Sequence, residues 1–179
     1  VDQDGRAILT HVQRRIVLFH FTFKSPVSSL AFSPSGRHFA VGLDRHIEVW
    51  HTPSTPDQNA DGELDFAPFV LHRRYAGHSD AVQNIEWSGD SRFFLSASKD
   101  LTARVWSLES EDVSAKTVLG GHREGVLGAY FSKDQETIYT ISKDGAVFVR
   151  KYLAGQKPEE EDEDDDDNDE RADDPGNTQ

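Results

Sequence analysis

The 179-residue sequence contains no cysteine and no methionine. Without cysteine the chain cannot form disulfides, thiolate metal sites or a thiolate nucleophile, which is typical of intracellular proteins. Because a natural reading frame starts with methionine, we expect the chain to be an internal segment of a longer protein. The sequence also lacks an apolar run of membrane-spanning length and a signal-peptide pattern, so we expect no association with a membrane.

Motifs for several kinds of chemistry are missing as well. The eight histidines do not follow the spacing of a metal site on one helix. Gly120 and Gly121 join two predicted strands, whereas a phosphate-binding loop joins a strand to a helix. No nucleic-acid-binding motif occurs, and the acidic run lacks the alternating pattern of a calcium loop. We therefore predict no catalytic residue, no metal site, no cofactor and no small-molecule substrate.

Three stretches of the chain repeat one pattern, at residues 27–50, 82–106 and 126–150. Each stretch begins with an alternating apolar strand, continues through a turn and a second strand, and reaches an aspartate followed by a third strand. Gly-His precedes the second and third copies, and these two dipeptides lie 44 residues apart. A period of about 40–45 residues is typical of the four-stranded blades of a β-propeller. The repeat therefore predicts an all-β fold.

The repeat divides the chain into five segments. We predict a partial blade at 1–24, three blade repeats at 25–75, 76–120 and 121–156, and an acidic segment at 157–179. These units amount to about three and a half four-stranded blades, whereas closed propellers have about four to eight. We therefore expect a partial propeller whose remaining blades come from the parent chain.

Two details of this division concern individual strands and loops. In the partial blade, we expect inner strands at 7–10 and 15–19 and an outer strand at 20–23. In the first full repeat, 26 residues separate Trp50 from Gly77, against 14 between the corresponding residues of the next repeat. Much of the extra length is rich in Pro, Asp and Gly, which predicts an exposed loop at 52–65, followed by an outer strand at 66–75.

The acidic segment carries most of the net charge of the chain. Residues 157–179 hold 13 acidic and 2 basic residues, which gives −11 of the total of −13. Such a run cannot bury enough apolar surface to offset its ordering entropy, so we expect it to be disordered. It serves either as a solubilising spacer or as a binding segment for basic partners such as ribosomal proteins or histones.

The signature residues of the repeats resemble the WD-repeat family. Gly-His opens the unit, an aspartate occupies the last tight turn, and tryptophan closes the third strand, although no copy has the Trp-Asp dipeptide. In that family a histidine, a serine or threonine, an aspartate and the tryptophan form a hydrogen-bonded set inside the blade. The resemblance assigns this structural tetrad in the middle repeat to His78, Ser96, Asp100 and Trp106.

The third repeat keeps only part of this set. It offers His122, Thr140 and Asp144, but Arg150 occupies the position of the tryptophan. We therefore expect this blade to be less stable, or Arg150 to have another role.

In the middle repeat, His78, Ser96 and Asp100 look like a catalytic triad. We interpret them as buried structural partners.

Basic residues in the predicted loops are candidates for binding. The repeat places four of them on one face of the disc, namely Arg45, Lys99, Arg123 and Lys143. Such residues could contact RNA phosphates or protein partners without reading a base sequence. Ordinary solvated loop charge is the alternative interpretation of the same residues, and the nearly neutral folded part of the chain favours it.

Several stretches are more specific than the repeat itself, at 3–6, 17–24, 27–37, 69–71 and 119–122, together with the acidic run that follows Tyr152. Their order resembles one branch of the WD-repeat family, the scaffold proteins of the UtpB subcomplex in the small-subunit processome. The resemblance implies a non-catalytic nucleolar scaffold in ribosome biogenesis. It also implies assembly with other UtpB and processome proteins on pre-rRNA, or on small nucleolar ribonucleoprotein.

Two alternatives come from other functional classes. A WD-repeat module of the histone-binding or chaperone type would use the acidic segment to hold histones. A propeller hydrolase is the other alternative, and the lack of a catalytic constellation weighs against it.

Overall fold

The computed structural model describes residues 1, 4–12, 15–52 and 70–151. These residues form thirteen β-strands and no helix, and the strands make four antiparallel sheets of two, four, four and three strands. The prediction of an all-β fold built from blades is therefore confirmed. Most of the predicted loop (53–65), the first part of the predicted outer strand (66–69) and the acidic segment at 157–179 lie outside the described residues. Among the described residues, no helix is long and apolar enough to cross a membrane.

Each sheet consists of strands that follow one another in the chain. The first sheet contains β1 (Arg6–His11) and β2 (Ile16–Thr22). The second contains β3 (Val27–Phe32), β4 (His38–Leu43), β5 (His46–His51) and β6 (Val70–Ala76). The third contains β7 (Val82–Trp87), β8 (Phe93–Ser98), β9 (Ala103–Ser107) and β10 (Thr117–Leu119). The fourth contains β11 (Val126–Phe131), β12 (Thr137–Ser142) and β13 (Val147–Lys151).

The outermost strand of each four-stranded sheet comes from the segment that leads into the next repeat. β6 pairs with β5, and β10 pairs with β9, before the chain enters the following sheet. β2 holds the same position, because it pairs with β1 and then leads into β3. The predicted separate strands at 15–19 and 20–23 are therefore wrong. No turn residue interrupts this stretch, so residues 16–22 form one strand.

Apolar side chains fill the space between adjacent sheets. The second and third sheets meet around Tyr75, Phe94 and Trp106, which are almost completely buried. The ring of Tyr75 lies edge-on to Phe94 and Trp106, with centroid distances of 5.0 and 5.6 Å. The Tyr75 hydroxyl donates a hydrogen bond to the carbonyl of Ser107 at 3.1 Å. The outer strand of one sheet is thus anchored to the core of the next.

Hydrogen bonds also connect the inner strands of neighbouring sheets. The Trp87 indole donates from Nε1 to the carbonyl of Ala31 at 3.0 Å. The backbone N–H of Val82 donates to the carbonyl of Asp44 at 2.7 Å, which joins the start of β7 to the β4–β5 turn. Since a buried polar group without a partner is costly, these bonds favour one arrangement of the two sheets.

The turn before the third strand has the same form in the last two repeats. The N–H of Ser98 donates to the carbonyl of Thr102 at 3.1 Å, and the N–H of Ser142 donates to that of Ala146 at 3.0 Å. The residue before each acceptor has a positive φ, 69° at Leu101 and 84° at Gly145. This left-handed conformation costs an ordinary residue about 1–2 kcal/mol, whereas glycine adopts it freely.

We therefore predict that exchanging these residues changes stability in opposite directions. Leu101→Gly should raise the free energy of unfolding by about 0.5–1 kcal/mol, because it relieves the positive φ of a half-exposed side chain. Gly145→Leu should lower it by about 1–2 kcal/mol for the converse reason. Urea unfolding of both variants measures the difference. A loss of stability in Leu101→Gly would show that the leucine contacts outweigh the backbone strain.

Candidate functional site

The middle repeat brings four polar side chains together in its interior. Nδ1 of His78 lies 2.8 Å from Oδ2 of Asp100, and Nε2 of the same ring lies 2.7 Å from the Ser96 hydroxyl. The Trp106 indole donates from Nε1 to the Ser96 hydroxyl at 2.8 Å. His78 precedes β7, Ser96 lies on β8, Asp100 lies in the β8–β9 turn and Trp106 lies on β9. The contacts therefore join the segment before β7 to β8, to β9 and to the turn between these two strands.

The chemistry of these groups determines which atom donates in each bond. The indole N–H can only donate, so the Ser96 oxygen accepts from Trp106. The ionised carboxylate of Asp100 can only accept, so Nδ1 of His78 carries the proton in this bond. In the neutral ring Nε2 then has no proton, and it accepts from the Ser96 hydroxyl. A neutral imidazole with the proton on Nδ1 satisfies every member of the set.

The carboxylate of Asp100 receives hydrogen bonds from two separate segments. Its Oδ2 accepts from His78 and from the backbone N–H of Ser79 at 3.0 Å. Its Oδ1 accepts from the Thr102 hydroxyl at 2.6 Å and from the Thr102 backbone N–H at 3.1 Å. The carboxylate therefore connects the segment before β7 with the β8–β9 turn.

Burial and hydrogen bonding set the protonation of this pair. Burial lowers the pKa of His78 and outweighs the opposing hydrogen bond and charge of Asp100. Burial also acts to raise the pKa of Asp100, but the hydrogen bonds from Thr102, His78 and Ser79 lower it overall. A neutral histidine beside an ionised carboxylate is the result, in agreement with the donor assignment.

The Ser96, His78 and Asp100 contacts have the connectivity of a catalytic triad, but the serine is closed to substrate. Ser96 has 0% of its surface exposed and His78 has 6%. The Ser96 oxygen also accepts the indole N–H of Trp106, whose side chain is itself fully buried. The arrangement holds the blade together and offers no access for an acyl group.

In the third repeat, Arg150 occupies the position of the missing indole. Its Nη1 donates to the Thr140 hydroxyl at 3.2 Å, where Trp106 donates to Ser96 in the middle repeat. Its Nη2 donates to the carbonyl of Gly120, and its guanidinium lies 4.9 Å from the centre of the Phe148 ring. Arg150 thus supplies a donor to the threonine and also binds the backbone at the end of the outer strand.

The aspartate and histidine of the third repeat are not hydrogen-bonded to each other. Nε2 of His122 lies 2.8 Å from the Thr140 hydroxyl, but its buried Nδ1 has no hydrogen-bond partner within the described ranges. Asp144 accepts instead from Ser142 and from the backbone of Ala146 in its own turn. Burial and the nearby Arg150 charge lower the pKa of His122, so this ring is neutral too.

The first repeat replaces the polar set with apolar packing. Strand register places Val41 where the middle repeat has Ser96. The ring of Trp50 packs edge-on against Phe21 and Phe23, with centroid distances of 5.2 and 5.9 Å. This position is therefore stabilised by contacts with the first sheet.

The four basic loop residues lie in turns and connections at one end of the strands. Arg45 lies in the β4–β5 turn, Lys99 in the β8–β9 turn, Lys143 in the β12–β13 turn and Arg123 just before β11. All four are exposed. Arg45 lies 3.6 Å from the carboxylate of Asp44, whereas the other three have no ion pair with another described residue.

Backbone contacts connect these turns from sheet to sheet. The Val82 N–H bonds to Asp44, the neighbour of Arg45. A Cβ on Gly125 would lie 3.2 Å from the Cα of Lys99, so the segment before β11 packs directly on the β8–β9 turn. The Lys143 N–H donates to the carbonyl of Gly125 at 2.9 Å. We call the surface that carries Arg45, Lys99, Arg123 and Lys143 the turn face.

The structure also assembles a group that the sequence did not reveal. His38, His51 and His72 place their coordinating nitrogens within 4.8 Å of one another. Helical spacing was the wrong criterion for these residues, because they lie on three adjacent strands. One signal was available in the sequence, because His38 begins the first strand of a predicted hairpin and His51 ends the second, where the two residues face each other.

Comparison with known proteins agrees with this architecture. The family model "WD domain, G-beta repeat" matches residues 15–51 and 69–107. Each matched segment runs from an outer strand to the third strand of the next sheet, ending at β5 or β9. The repeat that carries Arg150 lies outside both segments. The matched repeats and the buried His-Ser-Asp-Trp contacts define this chain as a WD-repeat protein, a family that is generally non-catalytic.

Within the WD-repeat proteins, the chain is homologous to periodic tryptophan protein 2. It is 66% identical over 160 residues to the homolog from Neurospora crassa, covering 89% of the chain and 18% of that protein. It is 52% identical over 153 residues to the Saccharomyces cerevisiae protein, covering 85% and 16%. The Mus musculus homolog is 34% identical over 149 residues, covering 83% and 16%. The chain thus spans about a sixth of the length of these relatives.

We predict that the two equivalent aspartates contribute unequally to stability. Asp100→Ala should lower the free energy of unfolding by about 3 kcal/mol, because it leaves a buried histidine and two backbone donors without their acceptor. Asp144→Ala should cost about 1 kcal/mol, because it removes bonds within one exposed turn. Chemical unfolding of the two variants measures the difference. Equal losses would contradict the special role of the Asp100 carboxylate.

We also predict that the chain loses stability as the pH falls below neutral. The pKa values of His78 and His122 are lowered by burial in the folded state, so the unfolded chain binds protons more readily below about pH 6.5. The lowered pKa of Asp100 adds a further loss in more acidic solution. The melting temperature should therefore decrease from pH 8 to pH 5.5, and less steeply in His78→Asn. A melting temperature that rises over this interval would contradict the neutral state of these rings.

Proposed function

We propose that this chain forms part of a non-catalytic scaffold in ribosome biogenesis, which assembles the small-subunit processome on pre-rRNA in the nucleolus. The observation that carries the proposal is its 66% and 52% identity to proteins named periodic tryptophan protein 2. Similarity at this level covers 89% and 85% of the chain. The expected partners are other UtpB and processome proteins, with pre-rRNA or small nucleolar ribonucleoprotein contacted through propeller surfaces.

The turn face supports a direct contact with RNA. Lys99, Arg123 and Lys143 are exposed and are not neutralised by an ion pair with a described residue. Exposed lysine and arginine side chains at successive blades can bind phosphates along a strand without reading its bases. Such contacts would position RNA on the scaffold, while its specificity would come from the other partners.

A non-catalytic role agrees with the chemistry of the blade interior. The set with triad-like connectivity, His78, Ser96 and Asp100, is buried, and its hydroxyl accepts the indole N–H of Trp106. The hydrogen bonds of these residues contribute to the stability of the blade, and this contribution is enough to explain why the residues are present. We therefore propose that this protein acts by binding partners through its exposed surfaces.

The acidic run supports a second candidate function, histone binding. Residues 159–167 are all acidic, and a dense negative charge attracts basic proteins. In this alternative the acidic segment, and not the turn face, carries the interaction. The two functions therefore predict different partners and different sensitive residues.

Crosslinking in cells tests the proposal. The triple variant Lys99→Glu, Arg123→Glu, Lys143→Glu should reduce crosslinking to pre-rRNA several-fold and keep co-purification with processome subunits. Lys133→Glu is the matched control, because this exposed lysine lies in the β11–β12 hairpin at the opposite end of the same strands. It should leave RNA crosslinking unchanged.

The remaining outcomes distinguish the alternatives. Recovery of core histones without processome proteins, lost when the acidic run is replaced by Gly and Ser, would favour the histone-binding function. Recovery of neither pre-rRNA nor processome subunits would end the scaffold proposal. Processome binding with RNA crosslinking equal in all variants would retain the scaffold and remove the turn face from it.

A further inference from the structure

Three histidines form a compact cluster on the second sheet, at the end opposite to the turn face. His38 begins β4, His51 ends β5 and His72 lies on β6. Their ring centroids are 4.8, 5.0 and 5.1 Å apart, and one ring nitrogen from each lies within 4.8 Å of the others. We call this group the histidine cluster.

Strand register explains how the cluster forms. His38 and His51 are direct partners in the β4–β5 ladder. On the other side of β5, Val49 pairs with Arg73 and Trp50 pairs with Leu71, so a β-bulge falls at His72. A bulge re-aims the side chain of the extra residue. The imidazole of His72 consequently reaches the two rings that the neighbouring strands present.

Two rings of the cluster, His38 and His72, lie in surroundings that disfavour their charged form. Metals bind the neutral imidazole, so coordination competes with protonation. Burial lowers the pKa of His38, and positive charge on His51 and His72 would lower it further. Burial and His51 act on the pKa of His72 in the same way. Within the described part of the chain, the buried Nε2 of His72 has no hydrogen-bond partner.

From this geometry we propose that His38, His51 and His72 bind a divalent first-row transition metal, with Zn²⁺ as the expected ion. Imidazole nitrogen suits zinc, copper and nickel, whereas Mg²⁺ and Ca²⁺ require oxygen ligands. With Zn–N bonds of about 2.0–2.1 Å, tetrahedral ligand nitrogens lie roughly 3.3–3.4 Å apart. The nitrogens of the cluster would have to approach by at most about 1.5 Å, which requires the three rings to rotate towards a common point. Three imidazoles leave the fourth position open for water.

A metal at this position would join three strands of one sheet. β6 is the outer strand, and it forms the last part of the long stretch between Trp50 and Gly77. Next to the cluster, Arg73 donates to the carbonyl of Ser110 beyond β9, which already ties β6 to the third sheet. The metal would therefore fix the end of the outer strand against β4 and β5. This inference is independent of the proposed scaffold function.

Cobalt titration of the full chain tests the inference. The chain is prepared without a polyhistidine tag, freed of metal with a chelator and titrated with Co²⁺. Four-coordinate Co²⁺ gives visible absorption bands that report binding. We expect one Co²⁺ per chain, a dissociation constant below about 100 µM, and loss of the bands when Zn²⁺ is added. Zn²⁺ should also raise the melting temperature by several degrees, whereas Mg²⁺ and Ca²⁺ should not.

Matched variants locate the site. His51→Gln removes an exposed ligand, so the fold should survive while Co²⁺ affinity falls at least tenfold. His20→Gln on β2 is the control, since this histidine is also exposed but lies outside the cluster. It should bind Co²⁺ like the parent chain. Absence of saturable binding in the parent, equal binding in His51→Gln, or equal stabilisation by Mg²⁺ would each overturn the proposal.

Discussion

The middle blade depends on one buried charge. The carboxylate of Asp100 accepts hydrogen bonds from His78, Ser79 and Thr102, which come from both sides of the β7–β8 hairpin. These bonds fix the orientation of the His78 ring, which hydrogen-bonds to the Ser96 hydroxyl, and that hydroxyl accepts from the Trp106 indole. The indole in turn packs against Tyr75 of the preceding sheet. The polar network inside the middle blade thereby fixes the indole that packs at the apolar interface between the second and third sheets. Loss of one member would leave buried polar groups without partners, which would cost more free energy than the remaining bonds contribute.

The third repeat shows which part of this network can be exchanged. Arg150 donates to Thr140 as the indole does to Ser96, so the hydroxyl keeps its donor. The histidine loses its acceptor, since Asp144 bonds within its own turn. The guanidinium also binds Gly120 at the end of the outer strand. Where the middle repeat has the apolar packing surface of an indole, Arg150 therefore makes two hydrogen bonds. The guanidinium can do so because it carries several N–H donors.

Features that repeat along the chain could be predicted from the sequence, and features that depend on register could not. Apolar alternation and the Gly-His spacing predicted the strands and the all-β fold, because both arise from local geometry. The outer strand at 16–22 was divided wrongly, since an uninterrupted strand of this length differs from two short ones only through its pairing. The histidine cluster depends on a bulge at His72, and no sequence pattern marks where a ladder shifts by one residue.

In each four-stranded sheet the outer strand belongs to the segment that leads into the next repeat, and this arrangement has an evolutionary consequence. β6 and β10 lie at the edges of their sheets, and the chain reaches each of them after the three inner strands of the sheet are complete. Sequence inserted before an outer strand lengthens a connection and leaves the order of the three inner strands unchanged. The 26 residues between Trp50 and Gly77, against 14 in the next repeat, are such a difference. New binding segments can therefore be acquired at the rim of this fold without a penalty to its core.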